Sequence, residues 1–252
     1  MVKVLMHGCN GKMGQVISRI VAETEGMELA AGVDKFQGIS NPYPVYDSID
    51  DCDVPVDVVI DFSNASAVDG LLDACVRKGL PVVLCTTGLS DAQIGKVKET
   101  SGKVAVLRSA NMSLGVNLLL KLLRDAAKVL APAGFDVEIV EKHHNQKVDA
   151  PSGTAIAMAE SINDALGGEY SYNYDRSSVR KKREKKEIGI VAVRGGNIVG
   201  EHEVLFAGED EVIEFRHTAS SKAIFARGAV AAAGFLAGKE AGLYDMSDVI
   251  SL

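Results

Sequence analysis

Cysteine is scarce and badly placed for a covalent or metal-held framework. The 252-residue chain has four, Cys9, Cys52, Cys75 and Cys85, all in its first third, with no CxxC pair and no ligand-like spacing to histidine. Free thiols in a reducing cytoplasm fit that pattern better than disulfides. No apolar run approaches the roughly 20 residues that a membrane-spanning helix needs. The opening MVKVLMHG passes from a short apolar stretch straight into a glycine loop, so it reads as a first buried strand rather than a targeting segment. Positive charge is not in excess either. With 27 basic against 34 acidic residues and a net charge of -7, a general nucleic-acid binder is disfavoured. What remains is a cytoplasmic, membrane-free globular protein. Its 47% hydrophobic and 24% charged residues are ordinary for that class. Its length suits two small domains.

The first hundred residues alternate apolar runs with helical patterns. Strands are expected at 2–6, 29–33, 56–62, 81–85 and 104–107. Helices are expected at 14–25, 67–77 and 92–100. Continuous Val/Ile/Leu runs separated by helices point to a parallel sheet covered on both faces. The pattern then changes. Long helical patterns at 114–130 and 155–166 surround a strand at 135–140. Three closely spaced strands follow at 187–193, 198–206 and 211–217, read as an antiparallel meander. An Ala-rich helix over 222–236 closes the pattern. The expected fold class is α/β: a Rossmann-like parallel-sheet domain over 1–112 and 220–252. An α+β domain with a mixed or antiparallel sheet spans 113–219, for substrate binding and oligomerisation.

Gly8-Cys9-Asn10-Gly11-Lys12-Met13-Gly14 sits between the first strand and first helix, a G-x-x-G-x-x-G variant of the dinucleotide fingerprint. Its glycines let the backbone turn tightly and approach a pyrophosphate, which meets free N–H groups at a helix start. Met13 stands where a P-loop would need Ser or Thr for magnesium. A glycine turn can also serve packing alone. Here Asp34 lies about 20 residues beyond the loop, where a carboxylate accepts hydrogen bonds from a ribose diol. Lys35 and Lys12 could attract a 2′-phosphate, so NADH and NADPH both remain open. Thr86-Thr87-Gly88 and Ser109-Ala110-Asn111-Met112 follow the fourth and fifth strands, where open parallel sheets bind ligands.

The densest chemistry lies at 138–155. His143, His144 and Lys147 crowd into five positions, and Ser152 is placed to cap the next helix. The N–H groups of Gly153 and Thr154, with the Thr154 hydroxyl, would then be open to a carboxylate. A solvated loop and a simple cap are the plain alternatives for each feature alone. Together with a dinucleotide loop they point to a reductase passing hydride from a nicotinamide cofactor to a small anion.

Glu138–Ala155 fits the signature E-(I/V)-x-E-x-H-H-x-x-K-x-D-A-P-S-G-T-A. On it the chain resembles the 4-hydroxy-tetrahydrodipicolinate reductase family, also called dihydrodipicolinate reductase. The likeness extends to Arg194-Gly195-Gly196, Gly200-Glu201-His202, His217-Thr218-Ala219-Ser220 and Gly242-Leu243-Tyr244-Asp245-Met246. It implies an NAD(P)H-dependent enzyme of lysine and diaminopimelate biosynthesis, acting on a cyclic imine dicarboxylate as a homotetramer. It further implies that His143 and Lys147 handle protons, and that His144, Gly153 and Thr154 bind substrate. Gly8–Met13, Asp34, Lys35, Thr86–Gly88 and Ser109–Met112 would hold the cofactor. Two departures stand out: Met112 where the family commonly has Phe, and Asn145 where many members have Arg.

Seven basic residues between Arg176 and Lys186 (Arg176, Arg180, Lys181, Lys182, Arg183, Lys185, Lys186) read as a solvated loop or an attractor for an anionic substrate. Glu201-His202-Glu203 is not expected to hold metal, because strand alternation sends neighbours to opposite faces. A semialdehyde dehydrogenase would need a catalytic thiol, and no cysteine follows Cys85. A non-catalytic NAD(P)H sensor would have no use for His143 and Lys147.

Overall fold

The computed structural model describes residues 1–250. The chain divides into two compact units, Met1–Leu114 together with the chain from Ala223 onward, and Gly115–Lys222.

The first unit is built on β1 (Val2–His7), β2 (Met27–Val33), β3 (Val45–Tyr46), β4 (Val58–Asp61), β5 (Val82–Leu84), β6 (Ala105–Leu107) and β12 (Gly242–Tyr244). Every pairing is parallel, and the strand order is β12-β6-β5-β4-β1-β2-β3. Leaving the edge strand β12 aside, this is the doubly wound order 3-2-1-4-5-6, with its switch point between β1 and β4. Strand alternation divides the apolar residues between two cores. Val4, Met6 and Ile60 pack with α1 (Lys12–Glu23) and α6 (Ala223–Leu236). Leu5, Val59, Val82 and Val106 pack with α2 (Ala65–Lys78) and α3 (Asp91–Ser101). A strand buried on both faces must be apolar at every position, which explains the unbroken Val/Ile/Leu runs.

The second unit contains α4 (Leu114–Leu130) from its second residue on, β7 (Asp136–His143), α5 (Gly153–Ala165), β8 (Ser171–Asn173), β9 (Glu187–Arg194), β10 (Gly200–Ala207) and β11 (Val212–Ala219). Its sheet runs β11-β10-β7-β9-β8 and is mixed. The expected meander is overturned. β10 and β11 do form an antiparallel hairpin, but β7 lies between β9 and β10, parallel to the former and antiparallel to the latter. Residues 195–199 therefore cross the end of β7. They need span only two strand spacings, roughly 10 Å. Val137, Ile139, Ile190, Val204 and Phe206 meet α4 and α5 on one face of the sheet. The other face stays open, with Val191 49% and Val193 41% exposed. The short terminal helix α7 spans Met246–Val249. Among the described residues no helix is long and apolar enough to cross a membrane.

Candidate functional site

The glycine loop lies at the switch point of the parallel sheet. Gly8 has φ +84°, and a Cβ there would come 2.7 Å from the Phe62 carbonyl oxygen. A Cβ on Gly14 would come 2.1 Å from the Gly8 carbonyl oxygen, so the helix can seat against the loop only because residue 14 lacks a side chain. Gly11 precedes α1 without any side-chain cap bond, which leaves the helix's first N–H groups uncapped. Asp34 is fixed at the end of β2. Its carboxylate accepts from Asn10 N at 2.9 Å and Phe36 N at 2.9 Å. Each oxygen keeps lone-pair capacity for another donor. These features fit a dinucleotide: a bare helix start for pyrophosphate and an anchored carboxylate for a ribose diol.

The remaining cofactor candidates divide by exposure. Lys12, Lys35, Thr87, Gly88 and Ala110 are exposed, while Met13, Ser109 and Asn111 are half-buried. Cys9 is fully buried against Gly32, so it can offer a ligand only its backbone. Burial, with the Asp34 charge, pushes its thiol up to about 11. Met112 is buried in the core it shares with α6. Thr86 accepts from Ser63 N at 3.1 Å. Ser63 in turn donates to buried Asp61 at 2.6 Å, which also meets His7 Nδ1 at 2.7 Å.

The second constellation grows out of β7. The sequence reading ended this strand at Val140, where charged residues begin. The ladder in fact runs on to His143, because every second residue faces inward. Val137, Ile139, Glu141 and His143 share the buried face. Glu141 is wholly buried, and its carboxylate accepts four donors. Arg194 supplies two, from Nη1 at 2.8 Å and Nη2 at 2.7 Å. Ser152 N donates at 2.9 Å, and His143 Nδ1 lies at 2.6 Å. Burial acts to raise the Glu141 pKa. The bonds from Arg194, His143 and Ser152 outweigh it and hold the group below its usual range. Sequence reasoning gave Glu141 and Arg194 no role. The available signal was the i, i+2 spacing of Glu141 and His143 within an alternating strand.

Ser152 caps α5, accepting from Ala155 N at 3.2 Å, and its hydroxyl also meets His202 Nε2 at 3.0 Å. His202 stacks edge-on against His143, centroids 5.1 Å apart. Burial, reinforced by the His143 charge, lowers its pKa to about 4. Lys147, in the loop after β7, acts on His202 in the same direction. His144 is half-buried just past the strand end.

Lys147 Nζ pairs with Asp149 at 2.7 Å in the loop that leads into α5. The Lys147 bond leads in lowering the Asp149 pKa. Thr154, in the first turn of α5, has an interaction of its own. Arg194 Nη2 reaches the Asp149 carbonyl at 2.6 Å and fastens the same loop.

Much of the basic run is tied into ion pairs. Arg183 binds Asp136 at 2.9 Å and Glu138 at 3.0 Å, and Arg176 binds Glu138 and Glu187. Lys181 pairs with Glu184 and Lys186 with Glu169. On β10, Glu201 turns away from His202 to meet Lys142 and Arg216.

Known proteins resemble the chain along its whole length. Residues 2–112 match the family model described as dihydrodipicolinate reductase, N-terminus, and residues 115–250 match dihydrodipicolinate reductase, C-terminus. The 4-hydroxy-tetrahydrodipicolinate reductase of Clostridium novyi (strain NT) is 52% identical over 250 residues, 99% of this chain and 98% of that protein. The enzyme of the same name from Caldanaerobacter subterraneus subsp. tengcongensis is 48% identical over equal shares. A dipicolinate-bound dihydrodipicolinate reductase from Paenisporosarcina sp. TG-14 superposes with a TM-score of 0.83 at 26% identity. It covers 99% of this chain and 100% of its own.

Proposed function

The chain belongs to the dihydrodipicolinate reductase family, and on that premise we propose how its residues reduce the cyclic imine dicarboxylate 4-hydroxy-tetrahydrodipicolinate to tetrahydrodipicolinate. NADH or NADPH is the hydride donor, and the reaction is a step of lysine and diaminopimelate biosynthesis. The unit containing the glycine loop carries the cofactor. The unit containing β7 binds substrate and builds the oligomer. The enzyme works in the cytoplasm.

Gly8, Cys9, Asn10, Gly11, Lys12 and Met13 hold the pyrophosphate by backbone, and Asp34 takes the ribose diol. Lys35 and Lys12 tolerate a 2′-phosphate, so both cofactors serve. Thr86, Thr87, Gly88, Ser109, Ala110, Asn111 and Met112 flank the nicotinamide half. Bound there, NAD(P)H supplies the hydride. The substrate's hydroxyl leaves as water with a hydrogen from the adjacent ring carbon, and one hydride and one proton then enter the ring. As hydride arrives, negative charge spreads over the conjugated system and a proton must follow. His143 and Lys147 deliver that proton and offset the charge. His144, Gly153 and Thr154 hold a substrate carboxylate.

The observation that carries this reading is buried His143, held through Nδ1 by Glu141 beside the start of α5 and the Lys147–Asp149 pair. The test is Lys147→Ala, followed by NAD(P)H absorbance with the cyclic substrate. Turnover is expected to fall by roughly 10²–10⁴-fold, the usual worth of general acid catalysis, while cofactor affinity stays within about twofold. Wild-type turnover would remove Lys147 from the mechanism. The open face of the β7 sheet, with Val191 and Val193 exposed, supports assembly into a homotetramer. Light scattering giving a monomer mass at working concentration would refute it.

A further inference from the structure

We propose that Glu141 and Gly200 are positioning residues that commit His143 to exchanging its proton through Nε2 alone. The proposal rests on the reading of His143 as a proton-handling group and goes on to say which atom does it.

One side of the ring is closed by Glu141. This carboxylate is fully buried and already takes three N–H bonds, two from Arg194 and one from Ser152. An ionised carboxylate can only accept. The 2.6 Å contact at Nδ1 therefore requires a hydrogen on Nδ1. The Arg194 fork keeps the carboxylate ionised and its direction fixed. Nδ1 is thus committed, and Nε2 is the nitrogen left to gain or lose a proton.

The other side is kept clear by Gly200. A Cβ there would sit 3.1 Å from Nε2 and 3.4 Å from Cδ2 of His143. Gly200 has no left-handed φ and opens β10 in regular register with Ala219. Backbone conformation therefore does not demand a glycine; the space beside Nε2 does. His202, two residues on along the same strand face, presents its ring to His143 at 5.1 Å and is turned to Ser152 through its own Nε2. The titratable and charged groups around His143 are Glu141 on its own strand, Arg194 on β9, His202 on β10 with His217 opposite it on β11, and Lys147 in the following loop.

The test uses the full-length enzyme. Nitrogen-15 NMR of the wild-type histidine side chains at pH 7.5 is expected to place the hydrogen of neutral His143 on Nδ1, with Nε2 bare. A neutral form carrying its hydrogen on Nε2 would overturn the proposal without any variant. In Glu141→Gln the amide can accept or donate, so the Nδ1–H preference is expected to weaken and kcat to fall about 10²-fold or more, as in serine proteases when the acid orienting the histidine is neutralised. KM for NAD(P)H should not move. In Gly200→Ala the tautomer should persist while kcat falls at least tenfold, through crowding at Nε2. Wild-type kcat and pH profile in Glu141→Gln would overturn the role of Glu141; the same result in Gly200→Ala would overturn that of Gly200. His143→Gln separates the two levels of argument. Full turnover there overturns the proton role of His143 itself. Turnover lost there but retained in both other variants overturns only the positioning.

Discussion

Arg194→Ala tests the electrostatics of the second unit most directly. The wild-type guanidinium makes two charge-assisted bonds to Glu141, at 2.7 and 2.8 Å, and Glu141 has no exposure to water. Truncation leaves the carboxylate with only His143 Nδ1 and Ser152 N as donors. Removing one partner of a buried pair costs about 3–5 kcal/mol, because the other charge stays behind uncompensated. At roughly 2–4 °C per kcal/mol for a chain of this size, Tm should drop by about 6–20 °C. Arg194→Lys should fall between, since an ammonium restores charge but not the planar fork. The pH dependence follows from the sign of the Glu141 shift. In the wild type its folded pKa lies below the ordinary value of 4.5. It therefore contributes stability that is fully present above 4.5 and lost as pH falls through the lower folded value. Without Arg194, burial dominates and the folded pKa rises. The variant's deficit should then be largest near pH 7 and shrink on acidification toward pH 4. Thermal melts at pH 7.5 and pH 5 measure this. A Tm within 2 °C of wild type at pH 7.5, or a gap that widens in acid, would refute the reasoning.

Two further outcomes are expected. Gly14→Ala places a methyl 2.1 Å from the Gly8 carbonyl oxygen and must displace the loop from α1. NAD(P)H fluorescence titration should show binding weakened by about 100-fold, roughly 2.7 kcal/mol; unchanged affinity would dissociate the loop from the cofactor. His202→Gln probes the buried neutral imidazole, whose folded pKa of about 4 lies below the ordinary 6.5. Between those values the unfolded chain takes up a proton that the folded chain refuses, so the wild type loses stability as pH falls from 6.5 toward 4. Gln can still bond the Ser152 hydroxyl but cannot titrate. Denaturant melts should show a flatter curve over that window and little change above pH 7; an unaltered slope would show that His202 is not its source.

How far the sequence reads depends on how local each signal is. The doubly wound sheet was legible because burial on both faces forces unbroken apolar runs at Val4–Met6, Val58–Ile60 and Val82–Leu84. The main helices were legible within about two residues, because their periodicity and caps are local. Strands β3, β8 and β12 were missed. They span only two or three residues, and each owes its strand geometry to a partner elsewhere in the chain. The meander reading failed for a related reason: proximity in sequence suggested that β9 pairs with β10, but β7, forty-four residues before β9, lies between them. In the second unit the signature drew attention to His143 and Lys147. Glu141 looked like a surface charge among charges, since only the alternation of β7 turns it inward. Arg194 could be matched to it only once β7 and β9 were in register, with His143 opposite Arg194.

The Lys147–Asp149 pair has a thermodynamic consequence. Lys147 and Asp149 stand two residues apart in one short loop, so the ammonium always has a tethered counter-charge at hand. Simple anions such as chloride or acetate compete poorly with a tethered carboxylate at high effective concentration. The charge of Lys147 is thereby kept off the bulk electrolyte, and the loop holds its shape whatever the salt around it.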